Sequence, residues 1–196
     1  DSGKMAANLK KIIAEYGVVS KDNVQKYITA AALLAAAEQG KITFDDIVEY
    51  NYILNIDDDY TSEYDNLTDN GKKMMTDNLE GIQCSTISDL NKEIVKSLLS
   101  ALVYKNVNEG SGTLEKVIEK HKIFMNANGL DYLLYQNAKK DIIGRNVIGA
   151  GEKKYSDMIA IINAESKTNQ LNNSSSAGGG GSSGGGTSNG GSSAGK

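Results

Sequence analysis

Residues 19–54 read VSKDNVQKYITAAALLAAAEQGKITFDDIVEYNYIL. The stretch carries one plan twice. Val19-Ser20-Lys21-Asp22-Asn23-Val24 and Ile42-Thr43-Phe44-Asp45-Asp46-Ile47 each place a hydroxyl after a β-branched apolar residue, acid in the next turn, and a second β-branched residue. Ser20 and Thr43 are thereby read as N-caps, accepting an orphan N–H of the opening turn. Val19 with Val24, and Ile42 with Ile47, have the spacing of a hydrophobic staple. Asp22, Asp45 and Asp46 set negative charge at the positive end of the helix dipole. Gly40 supplies the left-handed stop between the two helices. The stretch specifies a helix, a short turn and a second helix, and writes no chemistry.

Working toward the N-terminus, KMAANLKKIIAEY (4–16) puts Met5, Leu9, Ile12, Ile13 and Tyr16 on one helical face, with Gly17 as its stop. The next helix is expected over about 21–39. Its alanine runs make it thin enough for close approach, so it is the expected central helix. A third runs over about 44–54.

Toward the C-terminus, NIDDDYTSEYDNLTD (55–69) holds six acids and no base and reads as a loop ordered by Asp and Asn side chains. A short helix over about 69–80, with Met74, Met75 and Leu79 inward, ends at Gly81. Ile87, Leu90, Ile94, Val95, Leu98, Leu99, Leu102 and Val103 form the longest apolar stripe, with Ser85 or Ser88 as its cap. Asn106–Gly112 is a turn, and Thr113 caps a helix to about Asn126. Asp131 opens another, stapled by Leu130 and Tyr135, that stops at Gly144. Residues 145–151 link it to a last helix over about 152–165. No strand pattern persists.

The expectation is an all-α single-domain bundle of seven to eight mostly short antiparallel helices over residues 1–166. Residues 167–196 form a flexible Gly/Ser/Asn-rich tail. From Ser174 on the tail is nearly all Gly and Ser, with a span of roughly 25–30 Å as a coil. About 165 residues suffice for one sizeable core.

Composition excludes several classes. The net charge of −4 gives no electrostatic pull toward nucleic acid, and Arg145 is the only arginine available for bidentate recognition. No apolar run is long enough to span a membrane. Cys84 is the single cysteine, so no internal disulfide forms. Asp1 in first position is the start of an expression product, a processed chain or a mature secreted form, and the compartment is left open.

Candidate chemistry is sparse. Asp57, Asp59 and Thr61 have the spacing that opens an EF-hand loop, and Asp57, Asp59 and Asp65 are the metal candidates. Ser62 and Thr68 stand where that loop needs glycine and glutamate, so a solvated acidic loop is the reading adopted. Gly144, Gly149 and Gly151 lack the Gly-Lys-Ser/Thr ending of a phosphate loop and read as a hinge. His121, the only histidine, lies on or near an apolar stripe, and its pairing with Cys84 depends on the fold. No carboxylate stands in the Glu-x-x-His spacing of di-iron bundles. Tyr50, Tyr52, Tyr60 and Tyr64 cluster around the acidic stretch and are the candidate interaction residues.

VSKDNVQKYI (19–28), followed by GKITFDDIVEY (40–50), resembles the short XkdX-type proteins of phage tail clusters. Those share a Ser/Thr-Lys-Asp/Glu-x-Val helix start and a Gly-x-Ile-Thr-x-Glu-Glu second start. Here the intervening helix is longer, and Val19 stands where an aromatic is usual. The resemblance implies a structural role in a particle.

Two functions are expected in order. The first is a non-enzymatic helical assembly or interaction protein, a structural component of a phage particle or cell-surface complex, acting through a protein partner or self-association. No cofactor is expected. The second is a helical small-ligand or cation-binding protein using a bundle pocket or the acidic loop 55–69.

Overall fold

The computed structural model describes residues 2–17, 20, 21, 23–105 and 111–171. Val19, Asp22, most of the Asn106–Gly112 turn and the Gly/Ser tail lie outside the described residues, as do the staple and spacer readings that rest on them.

The chain is all-α, and the described residues contain no strand. Its helices are α1 (Ser2–Tyr16), α2 (Val24–Glu38), α3 (Phe44–Glu49), α4 (Asn51–Leu54), α5 (Asp58–Thr61), α6 (Asp69–Asp77), α7 (Ile87–Lys105), α8 (Ser111–Ala127), α9 (Tyr132–Gln136), α10 (Lys140–Gly149) and α11 (Tyr155–Thr168). Seven of them have nine or more residues. The other four are short helices of four to six residues that carry the chain between those seven.

The second start of the opening stretch forms as its residues dictate. Thr43 Oγ1 accepts from the Asp46 N–H at 3.1 Å, and Asp46 Oδ2 accepts from the Thr43 N–H at 2.9 Å. This reciprocal capping box satisfies two donors at once. The first start does not form that way. The Ser20 N–H donates to Asn23 Oδ1 at 2.6 Å, and the Ser20 carbonyl accepts from both Asn23 and Val24. Asn23 thus folds a turn ahead of α2, and among the described residues the Ser20 hydroxyl accepts no capping hydrogen bond. Tyr27 at the start of α2 donates to the Tyr16 carbonyl at the end of α1, while Lys11 reaches Glu38. The two helices therefore run antiparallel.

The central element is α7, not α2. Twelve of its nineteen residues are buried, and it touches α2, α4, α6, α8 and α11. Its apolar stripe is wide enough to be enclosed on several sides. The alanine-rich α2 instead lines the side of the core toward α1. The α7 cap is Thr86, which exchanges hydrogen bonds with Asp89 at 3.0 and 3.2 Å, in place of Ser85 or Ser88.

Three further boundaries differ from expectation. The α3–α4 stretch breaks at Tyr50, and Asn55 closes it with φ +54°. Thr113 is buried inside α8, which begins at Ser111. Gly144 is a buried interior residue of α10; the stop comes at Gly151, with φ +77°. A glycine packed against a neighbour keeps its helix, because tertiary contact outweighs its low helix propensity. At the other end α11 runs on to Thr168. Backbone bonds from Lys139 to Asn169 and from Leu171 to Asn137 then fasten the chain beside the α9–α10 break.

Candidate functional site

The acidic stretch is a packed segment more than a loop. Ile56, Glu63, Tyr64 and Leu67 are buried. Asp57 caps α5, its Oδ1 accepting from the Asp59 N–H at 2.9 Å. That bond uses one oxygen of the EF-hand-like set locally. Asp57, Asp59 and Asp65 are exposed. Among the described residues, no three His, Cys, Asp or Glu side chains converge as a metal site.

The four tyrosines differ in burial. Tyr52 faces outward and is 66% exposed, while Tyr50, its ring centroid 6.3 Å away, is half-buried against the core. Tyr64 is buried edge-on against Phe44 at 5.2 Å, and burial pushes its hydroxyl up to about 12. Tyr60 turns inward and stacks on His121 at 5.1 Å.

A groove of about 450 Å³ runs along this face. Phe44, Val48 and Tyr64 give it an apolar floor, and Asp45 and Asp65 stand at its edges. Lys72 is the lining cation, its Nζ held 5.1 Å over the Phe44 ring. Val48 is 49% exposed, an apolar side chain open to solvent beside acid. The α5 acids Asp57, Asp58 and Asp59 are exposed on the same segment.

A second site lies behind the segment. Glu63 and His121 are buried, at 7% and 4% exposure. Lys120 and Asn66 both donate to the Glu63 carboxylate, and His121 Nε2 stands 3.4 Å from its Oε1. That approach is within ion-pair reach but not aligned as a hydrogen bond, and Nε2 has no hydrogen-bond partner among the described residues. Burial pushes the His121 pKa below its ordinary value, outweighing the opposite pull of Glu63. For Glu63 burial pushes upward, but the Lys120 and Asn66 hydrogen bonds and the Lys120 charge bring its pKa down on balance. The α8 backbone leaves helical geometry at His121, with φ −112° and ψ 20°. Rings continue inward, Tyr60 to Phe124 at 5.6 Å and Phe124 to Tyr155 at 6.5 Å.

Cys84 and His121 have different neighbours. Cys84 is buried near Glu93, Asp89 and Glu38, and burial first, then these acids, push its thiol up to about 11. A thiol held protonated is a poor nucleophile. Met74 and Met75 are core residues. Sequence reading missed the partnership of Glu63 with His121, because nothing local to either residue signals the other.

No protein-family model matches the chain, and neither a curated protein nor a solved structure matches it. Of the two helix starts that carry the XkdX-type resemblance, the one at Thr43 forms its cap, and among the described residues the one at Ser20 shows no hydroxyl cap.

Proposed function

We propose that the chain is a non-enzymatic helical interaction protein whose α3–α5 face docks a protein partner with a basic, partly apolar surface. The observation that supports this reading most is that solvent-exposed Val48 lines the groove edged by Asp45 and Asp65, with exposed Tyr52 following on α4. Apolar and tyrosine side chains supply contact area at low entropic cost, and the surrounding carboxylates select the partner's charge. Lysine or arginine on the partner would meet Asp45 and Asp65, and an apolar side chain would cover Val48. The protonated Cys84 and the separate surroundings of Cys84 and His121 are consistent with a non-enzymatic role. Within it, membership of a phage particle or cell-surface complex is the setting the sequence resemblance favours.

The test is comparative purification from the natural source. The wild-type chain and a Val48→Ser/Tyr52→Ser variant are each isolated with their bound proteins. A basic partner recovered with the wild type, lost with the variant and released by salt is the expected result. An identical set of bound proteins for both chains would contradict the reading.

A further inference from the structure

We infer that the basic, partly apolar surface that fits the α3–α5 face is carried by the same chain: a second copy docks its acidic face on the groove between α6 and the start of α11. The inference rests on the docking reading of the α3–α5 face and names its partner. The groove holds about 450 Å³, and Lys73, Lys105, Lys153 and Lys154 line it against Asp77 and Glu152. Four lysines against two acids leave two positive charges in excess. Both acids are already engaged within the chain. Asp77 Oδ2 lies 2.5 Å from Lys73 Nζ, and Glu152 Oε1 lies 2.8 Å from Lys105 Nζ. Lys153 and Lys154 have no ion-pair partner among the described residues. Asn78 and Lys154 also line an adjoining cavity of about 340 Å³, where Ile82 and Ile159 add apolar surface.

The two faces are opposite in charge and separate in space. Residues 44–66 hold eight acids and no base. Asp45, Glu49, Asp57, Asp58, Asp59 and Asp65 among them are exposed. Helix α6 divides the grooves: Lys72 lines the acidic one, while Asn70, Lys73 and Asp77 line the basic one. At 3.6 residues per turn, Lys73 and Asp77 stand roughly 100° and 140° around the helix from Lys72. No residue lines both grooves, so one copy presents both at once. Acidic face against acidic face repels, and acidic face against basic groove attracts. Lys153 and Lys154 supply the charge that Asp45 and Asp65 of the second copy call for, and Ile82 offers apolar surface to its Val48. A contact between two different patches is heterologous, so a pair joined once keeps one acidic face and one basic groove unused.

The purified full chain is followed by sedimentation velocity from about 10 µM to about 1 mM, in salt of about 20 mM and about 300 mM. In low salt the weight-average mass should rise with concentration above that of one chain, and in high salt it should return toward it. Two variants then separate the faces. Asp45→Asn/Asp65→Asn removes charge from the acidic face, and Lys153→Gln/Lys154→Gln removes it from the groove. None of the four residues is buried, so both variants keep the fold, which circular dichroism checks. Each variant alone should self-associate about tenfold more weakly than the wild type. An equimolar mixture should recover association up to a 1:1 pair, because each variant retains the patch that the other lacks. A wild-type mass equal to one chain at every concentration would overturn the inference without reference to any variant. Variants that associate as well as the wild type, or a mixture that associates no better than its components, would also overturn it. The docking reading then stands or falls separately, on whether the α3–α5 face takes a basic protein other than this chain.

Discussion

His121 Nε2 lies 3.4 Å from Glu63 Oε1, and the contact fastens the acidic segment to α8 at the point where that helix departs from regular geometry. Tyr60 covers the imidazole from one side, and Lys120 occupies the same carboxylate. Asp59 also acts on the imidazole electrostatically. The join between the proposed docking face and the bundle core is therefore titratable.

That join gives a pH dependence of definite sign. The His121 pKa in the folded chain lies below its ordinary 6.5. Its contribution to stability is then complete above about pH 6.5 and is lost as pH falls through the folded value. Glu63, lowered from 4.5, adds a second loss at lower pH, as its carboxylate protonates. Denaturant midpoints measured from about pH 7.5 down to about pH 5.5 should fall, and His121→Gln should flatten the decline over that window. A midpoint that rises on acidification would mean that Glu63 outweighs burial at this site.

Helix capping gives a second expectation. Thr43→Ala and Thr86→Ala should each destabilise the fold by about 0.5–2 kcal/mol, because each removes half of a reciprocal cap. Ser20→Ala should leave the denaturant midpoint near the wild-type value, since only the Ser20 backbone is engaged in the described turn. A loss at Ser20 equal to that at Thr43 would return α2 to the hydroxyl-capped start.

Gly71 makes a third. It sits inside α6, where alanine would ordinarily favour the helix by about 1 kcal/mol. A Cβ there would come within 2.9 Å of the Lys105 carbonyl oxygen and 3.1 Å of the Leu67 side chain. Thr68, the α6 cap, also donates to that carbonyl at 2.6 Å, so the backbone has little room to retreat. Gly71→Ala should destabilise the protein by about 1–3 kcal/mol in thermal or chemical unfolding. A stabilised variant would show that α6 and α7 are not packed this closely.

These cases show which features the residues announce. Thr43 and Asp46 announce their box because both partners are three residues apart. Ser20 carries the same signal, but the Asn23 side chain competes for the local backbone and takes the turn. Thr86-Ile87-Ser88-Asp89 holds a legible box that the neighbouring serines obscured. Gly144 reads as a stop until the surface packed against it is known. Exposed Tyr52 cannot be told from Tyr60 and Tyr64 by spacing, since only tertiary contact with His121 and Phe44 draws the latter two inward. Glu63 and His121 belong to distant stretches, and their meeting follows from how α8 lies against the acidic segment.

The central claim, that the α3–α5 face engages a basic protein surface, is tested most directly by site-specific photo-crosslinking in the natural source. A photoreactive residue is placed at Tyr52, with a control at exposed Leu133 on α9. The account predicts one discrete adduct from position 52, none from 133, a crosslinked peptide rich in lysine or arginine, and loss of the adduct in Asp45→Asn/Asp65→Asn. An adduct pattern no different between the two positions, or a crosslinked surface that is acidic, would contradict it.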